Sequence, residues 1–139
     1  LLPYPFHLSG PYSINNFIMF IVALILGLFL VTALNLLMHI LTMFTLDEKG
    51  TMITYSVIAE IFMGGTIPIP FFPTWLKHIA EFLPFRFIGD FPFRIYSNSI
   101  PLEEGYILII GSIIWIIITI SLGYLISRVS LRKAVIQGG

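Results

Sequence analysis

The sequence predicts an all-α integral membrane protein, with three transmembrane helices and a helical segment that lies at the bilayer interface or re-enters it. Three observations carry this. Of 139 residues, 58% are hydrophobic and only 10% charged, against roughly 25% charged in soluble domains. Mean hydropathy is +0.99, more apolar surface than a water-soluble fold of this length could cover. The apolar residues also gather into runs long enough to cross a bilayer, with a cluster of prolines between the second run and the third. The length fits one domain, and a formal net charge of zero removes the basic field that nucleic-acid binding requires. With no cysteine, a disulfide framework and a thiolate metal site are excluded.

The first span is expected over residues 17–44, which contain no charged side chain. It exceeds the roughly 20 residues that cross about 30 Å of hydrocarbon, so it tilts or protrudes. Asp47, Glu48, Lys49 and Gly50 make a polar turn, and a second, shorter span follows over residues 51–67, carrying Glu60. The third span, residues 105–127, is the most apolar. Each isoleucine or leucine there favours insertion by about 0.3 to 0.6 kcal/mol near the bilayer centre. Their β-branching would suit a strand in water, but an isolated strand in lipid leaves its backbone N–H and C=O groups unpaired. The run also lacks the alternation of a barrel strand, so a helix is expected. Pro101 in its first turn, with Glu103 and Glu104 at the positive end of the dipole, marks its start.

Residues 68–104 are the irregular part. Gly64-Gly65, then Pro68, Pro70 and Pro73, forbid a continuous helix. From Pro73 to Leu83 a short amphipathic helix is expected, with Trp75, Leu76, Ile79, Ala80 and Leu83 on one face and Lys77, His78 and Glu81 on the other. Pro84 ends it. Phenylalanines and Tyr96, interleaved with Arg86, Asp90 and Arg94, then suit a segment held at headgroup level or dipping into the bundle. Were this stretch helical, its three charges would form a ladder on one side. Leu1 to Ser13 has no basic start and does not read as a signal peptide; beginning on leucine, the chain reads as cut from inside a longer protein. Lys49, Arg128, Arg132 and Lys133 fall on one side of the membrane and Lys77, Arg86 and Arg94 on the other, which leans toward a cytoplasmic C-terminus.

No G-x-x-x-x-G-K-[ST] phosphate loop and no H-E-x-x-H occurs, and His7, His39 and His78 are too scattered to hold a metal. No catalytic residue and no metal ligand is expected. Polar residues inside the apolar spans remain as candidates. Thr32, Asn35, His39 and Thr42 recur at i, i+3, i+7 and i+10, within one narrow arc of the first span. That arc is either a packing seam, where each hydrogen bond adds about 0.6 kcal/mol, or a wall of a translocation path. Glu60 shares a face with Ser56 and Gly64; a charge near a helix centre opposes insertion by about 3 kcal/mol. It is either neutralised inside the bundle or close to the end of a short span. Ser112, Thr119 and Gly123 make a small-residue packing seam on the third span.

The run Phe62-Met63-Gly64-Gly65-Thr66-Ile67-Pro68-Ile69-Pro70-Phe71-Phe72-Pro73-Thr74-Trp75-Leu76 is followed by Phe82-Leu83-Pro84-Phe85-Arg86 and Phe91-Pro92-Phe93-Arg94-Ile95-Tyr96. This ordered set resembles the C-terminal half of permease subunits of type-2 ATP-binding-cassette (ABC) exporters. The tail Val135-Ile136-Gln137-Gly138-Gly139 is similar to the end of one bacterial branch of that family. Two positions depart from it: Asn98 stands where a glycine is expected after Tyr96-Ser97, and Ser112 where glutamine is often found ahead of Trp115.

The resemblance implies half of a six-helix permease, multi-pass in a bacterial plasma membrane, with this chain holding the last three spans and a cytoplasmic C-terminus. Leu1 to Ser13 would be an outer loop, the Asp47 to Gly50 turn cytoplasmic, and residues 68–104 the outer re-entrant segment. Gly64, Gly65, Pro68, Pro73, Arg86, Asp90 and Arg94 would then belong to an outer gate, and Thr32, Asn35, His39, Thr42 and Glu60 would face the interior. The implied partners are the lipid bilayer, a second permease subunit, identical or not, and a separate ABC ATPase. ATP and magnesium would be used by that ATPase, with no cofactor bound by this chain. The N-terminal helix and first cytoplasmic loop that make most of the ATPase contact in this family are not in the sequence, so this chain alone is not expected to transport. Two other readings stay open. One is a structural membrane subunit; the other is an intramembrane enzyme, which needs Glu60 and His39 within hydrogen-bond reach or one water apart.

Overall fold

The computed structural model describes residues 13–45 and 47–138, with side chains described as far as Val129. Of the expected outer loop only Ser13 falls among them, and the side chains of Arg132 and Lys133 lie outside. Helix α1 covers Ile14–Thr42, α2 Glu48–Phe62, α3 Thr74–Phe82, α4 Asp90–Tyr96 and α5 Leu102–Gly138. Short 3-10 turns occupy Ile69–Phe71 and Pro84–Phe87, and the described residues include no strand.

Helices α1 and α5 are each long and apolar enough to cross a bilayer. Ser13 starts α1 by accepting the Asn16 N–H at 3.2 Å, and Asp47 starts α2 by accepting the Gly50 N–H at 2.9 Å. These caps satisfy donors that a helix leaves free in its first turn. With 29 residues α1 is about 43 Å long. With 15 residues α2 is about 22 Å long, short of a bilayer's hydrocarbon core. It ends at Phe62, five residues before the expected Ile67. Gly64 takes a left-handed φ of 79°, and the N–H groups of Gly64 and Gly65 donate to the Ile61 and Glu60 carbonyls at 3.1 Å each. This is a Schellman-type closure: it satisfies carbonyls the helix end would leave open and turns the chain aside before Pro68.

The main packed pair is α1 and α5, and they run parallel. Gly105 at the start of α5 meets Met19 near the start of α1, and Gly123 further along meets Ile40. Both helices therefore begin at one end of the molecule, the α1–α2 turn lies at the other, and α2 with the following connector carries the chain back. The buried face of α1 runs Asn16, Met19, Ala23, Gly27, Leu30, Leu34 in steps of three and four. On α5, Ser112, Thr119 and Gly123 are all buried, as the small-residue spacing predicts. The Ser112 and Thr119 hydroxyls donate to the Leu108 and Trp115 carbonyls of their own helix at 2.9 and 2.8 Å, so the seam remains apolar toward its neighbour. The outward faces are apolar too, with Ile18, Ile25 and Phe29 of α1 and Ile107, Ile110 and Ile117 of α5 exposed. A helix that is apolar all round requires lipid or further helices as its surroundings.

The connector folds back against this pair. A Cβ on Gly27 would lie 3.2 Å from the Phe87 carbonyl oxygen, and one on Gly111 of α5 would lie 3.0 Å from the Phe87 ring. From Asn16, which binds the end of α4, to Gly27 the helix rises about 16 Å. The connector dips that far alongside α1 before α4 climbs back. The amphipathic helix expected from Pro73 to Leu83 forms as α3, with Ala80 buried and Leu76 half-buried, while Trp75, Ile79 and Phe82 are exposed.

Candidate functional site

Aromatic side chains tie the connector to three helices. The Phe85 ring lies 6.2 Å from Tyr55 and 6.4 Å from Phe62, both on α2. Phe82 meets Trp115 of α5 edge-on at 6.0 Å, and Phe20 of α1 meets Tyr96 at 5.1 Å. Phe91, fully buried, packs edge-on to Phe87 at 6.3 Å.

Between the end of α2 and α4 this packing leaves a cleft of about 600 Å³, lined by Met63, Gly64, Gly65, Pro68, Asp90 and Arg94 among others. Five of the seven residues assigned to an outer gate thus come together. Pro73 and Arg86 do not line the cleft. Pro73 is exposed just ahead of α3. Arg86 is buried in the 3-10 turn, where its Nη1 donates to the Glu81 carbonyl at 3.0 Å and its Nε has no hydrogen-bond partner.

The charge ladder over Arg86, Asp90 and Arg94 is consequently broken after its first member. Gly89 passes so close to α2 that a Cβ on it would lie 2.5 Å from the Met63 carbonyl oxygen, and the helix restarts only at Asp90. Within α4, an Arg94 Nη1 stands 3.5 Å from Asp90 Oδ2. Their side chains are 26% and 6% exposed. Burial pushes the Asp90 carboxyl above the ordinary carboxylate range, and the guanidinium groups of Arg94 and Arg86 pull it back.

Asn16, which the sequence analysis passes over, closes the same end of the molecule. It is 2% exposed. Its Nδ2 donates to the Ile95 carbonyl at 3.2 Å and to Asn98 Oδ1 at 3.0 Å, while Ser13 Oγ donates to its Oδ1 at 2.9 Å. Asn98 has a φ of 55°, the left-handed region in which glycine is free and asparagine is the best-tolerated substitute. The glycine expected at this position is thus explained by backbone conformation, and asparagine adds an acceptor that glycine lacks. The available signal was an amide at the mouth of an apolar span together with this departure.

On α1, Thr32, Asn35 and His39 are exposed along one face, while Thr42 turns inward with its hydroxyl donating to the His39 carbonyl at 2.7 Å. Thr32 likewise donates to its own helix, to the Leu28 carbonyl at 2.8 Å. His39 Nδ1 lies 3.9 Å from Glu48 Oε1. Glu60 is exposed in the last turn of α2, not at a span's centre. From Glu48, beside His39, to Glu60 the helix rises about 18 Å. The pair needed for intramembrane acid–base chemistry is therefore not assembled. Among the described residues no group of three or more His, Asp or Glu is placed to hold a metal ion.

Two helices long and apolar enough to span a bilayer, with large apolar side chains exposed along both, are the features of a helical membrane protein. A family model described as ABC-2 family transporter protein matches residues 11–138, and the chain belongs to that family. The resemblance carried by the proline-aromatic segment is thereby borne out: the chain is a membrane component of a transporter. No curated protein and no solved structure matches it.

Proposed function

We propose that the chain is the C-terminal, three-span part of a permease subunit in an ATP-driven exporter. The parallel pairing of α1 and α5 carries this reading, because two parallel helices demand a return crossing between them and only α2 with the connector is available for it. The shortness of α2 is offset by the connector that dips toward it. Lys49 and Arg128 at the shared end of the α1–α2 turn and α5 support a cytoplasmic C-terminus. In this reading Thr32, Asn35 and His39 face the translocation path or a second permease subunit, with Thr42 behind them. Glu60 stands near the outer mouth. The cleft with Gly64, Gly65, Pro68, Asp90 and Arg94 forms the outer gate, and Pro73 and Arg86 fix the ends of its lid. A separate ABC ATPase, the kind of partner that the family suggests, hydrolyses ATP with magnesium to drive the cycle.

The test uses the full-length permease. It is expected to co-purify with an ATPase, and export is expected to stop when the phosphate-loop lysine of that ATPase is replaced. Export that persists without ATP hydrolysis overturns the reading. For the stripe, Asn35→Leu combined with His39→Leu is expected to lower export severalfold while ATPase co-purification is unchanged; unaltered export assigns the stripe to packing.

A further inference from the structure

The cleft between α2 and α4 has a composition that a gate alone does not require. Its walls are mostly apolar, from Met63, Pro68, Pro70 and Phe93, with one ion pair and the side chains of Tyr96 and Ser97 set among them. A volume of about 600 Å³ lies inside the range of pockets that enclose small ligands, about 300 to 1,000 Å³. Asp90 is nearly covered, whereas Arg94 is 26% exposed, so the cation is the charge a ligand can reach. A guanidinium carries five donors. Among the described residues its one ion-pair partner is Asp90, at a loose 3.5 Å, and most of its donors stay open to a second acceptor. Its level along the molecule also matters. Arg94 precedes Ile95, which Asn16 binds at the third residue of α1, and Phe93 beside it packs on Phe20 at 6.5 Å. A helix of about 43 Å around a hydrocarbon core of about 30 Å puts that level at the boundary of the core, where lipid phosphates begin.

We infer that this cleft is a binding site for one phospholipid, with its phosphate on the Arg94 guanidinium and an acyl chain lying along Met63, Pro68, Pro70 and Phe93. Phosphate is the acceptor that matches a guanidinium fork, and an acyl chain is the occupant that matches the apolar stretch of wall from Met63 to Phe93. Asp90, 3.5 Å from Nη1, holds the guanidinium in place. The site does not depend on transport and is occupied whether or not the chain moves a substrate.

The test titrates the purified chain in detergent with phosphatidylglycerol, and in parallel with diacylglycerol of the same acyl chains, reading retained lipid by native mass spectrometry. One phosphatidylglycerol is expected to be retained in strong preference to diacylglycerol. The double variant D90N/R94M, which removes the pair without stranding a buried charge, is expected to weaken retention about tenfold, the loss of one charge-assisted contact. Ser97→Trp, at an exposed position on the cleft wall, fills the space while leaving the pair intact and should abolish retention. It keeps the proposal testable should the double variant not fold. Equal retention of both lipids, or unchanged phosphatidylglycerol retention in Ser97→Trp, overturns the site.

Discussion

The α1–α5 seam sets small groups of α5 against longer side chains of α1: Gly105 meets Met19 and Gly123 meets Ile40, with Ser112 and Thr119 buried between them along α5. The connector wedged beside that seam is packed instead with rings, Phe85, Phe87 and Phe91, around a covered carboxylate and a covered guanidinium. The seam gains its contacts where side chains of α1 enter the space that small residues leave on α5. The connector is held differently: its backbone comes directly against the helices, at Phe87 beside Gly27 and at Gly89 beside Met63, and, broken at Pro84 and Gly89, it must satisfy its polar groups locally. Regular helices thus need small residues to pack, and irregular chain needs bulk and hydrogen bonds to be held.

The comparison is broken hardest by emptying the connector. Phe91 is fully buried against Phe87, and Phe91→Ala should destabilise the protein by about 3 to 5 kcal/mol, the usual range for a buried phenylalanine. Thermal melting in detergent is expected to fall sharply; a melting point within a degree or two of the parent would mean that lipid or detergent already fills that space. Next is the polar clamp at the mouth. Asn16→Leu removes two donated hydrogen bonds and leaves the Ile95 carbonyl and Asn98 Oδ1 facing an alkyl group, a loss of about 2 kcal/mol. Its signature is local: hydrogen exchange should rise at Ile95 to Asn98 while the middle of α5 stays protected. Uniform exchange across the chain would show that Asn16 does not clamp this end.

How much of this was legible follows the same division. Period and composition locate both ends of α1 and the start of α5 to within three residues, because a run of apolar side chains in lipid has one low-energy outcome. But α5 continues to Gly138, eleven residues past the expected end at 127, where the sequence is no longer uniformly apolar. The seam on α5 is readable from spacing alone, since Ser112, Thr119 and Gly123 recur on one face of a regular helix. The end of α2 is only half readable. Gly64-Gly65 signals a break, but the helix stops at Phe62 because the capping geometry uses the carbonyls of Glu60 and Ile61, and that choice is invisible in composition. Least legible is the cleft. Spacing four suggests a ladder of Arg86, Asp90 and Arg94, and only the approach of Gly89 to Met63 reveals that Arg86 belongs to a different turn. Asn16 illustrates the limit: a lone amide has no period, and its partner at Asn98 is 82 residues away.

A smaller effect sharpens the account of Asn98. Its left-handed φ of 55° costs a β-carbon-bearing residue about 1 kcal/mol or more, except where a short amide side chain hydrogen-bonds locally. Asn98→Gly removes the strain and one acceptor together, so the two changes nearly offset. Asn98→Ala keeps the strain and loses the acceptor, and should cost about 1 to 2 kcal/mol. A melting point for the alanine variant equal to that of the glycine variant would show that backbone conformation is not what selects the residue here.

The smallest effect belongs to the seam, and its smallness is what distinguishes it from the connector. Ser112 and Thr119 are buried, and a buried hydroxyl would ordinarily be a candidate for a strong contact across the interface. Both instead donate to a carbonyl of their own helix, a bond that ties nothing to α1. Ser112→Ala should therefore change stability by no more than about 0.5 kcal/mol, since size is retained and the released carbonyl still has its helical N–H. Ser112→Leu should be far worse, because the position is almost fully buried and overpacking it costs about 1 to 3 kcal/mol. If the alanine variant proved as damaging as the leucine one, the hydroxyl would have to reach across to α1. The seam would then be a polar clamp of the kind found at Asn16, and the contrast between the two regions would disappear.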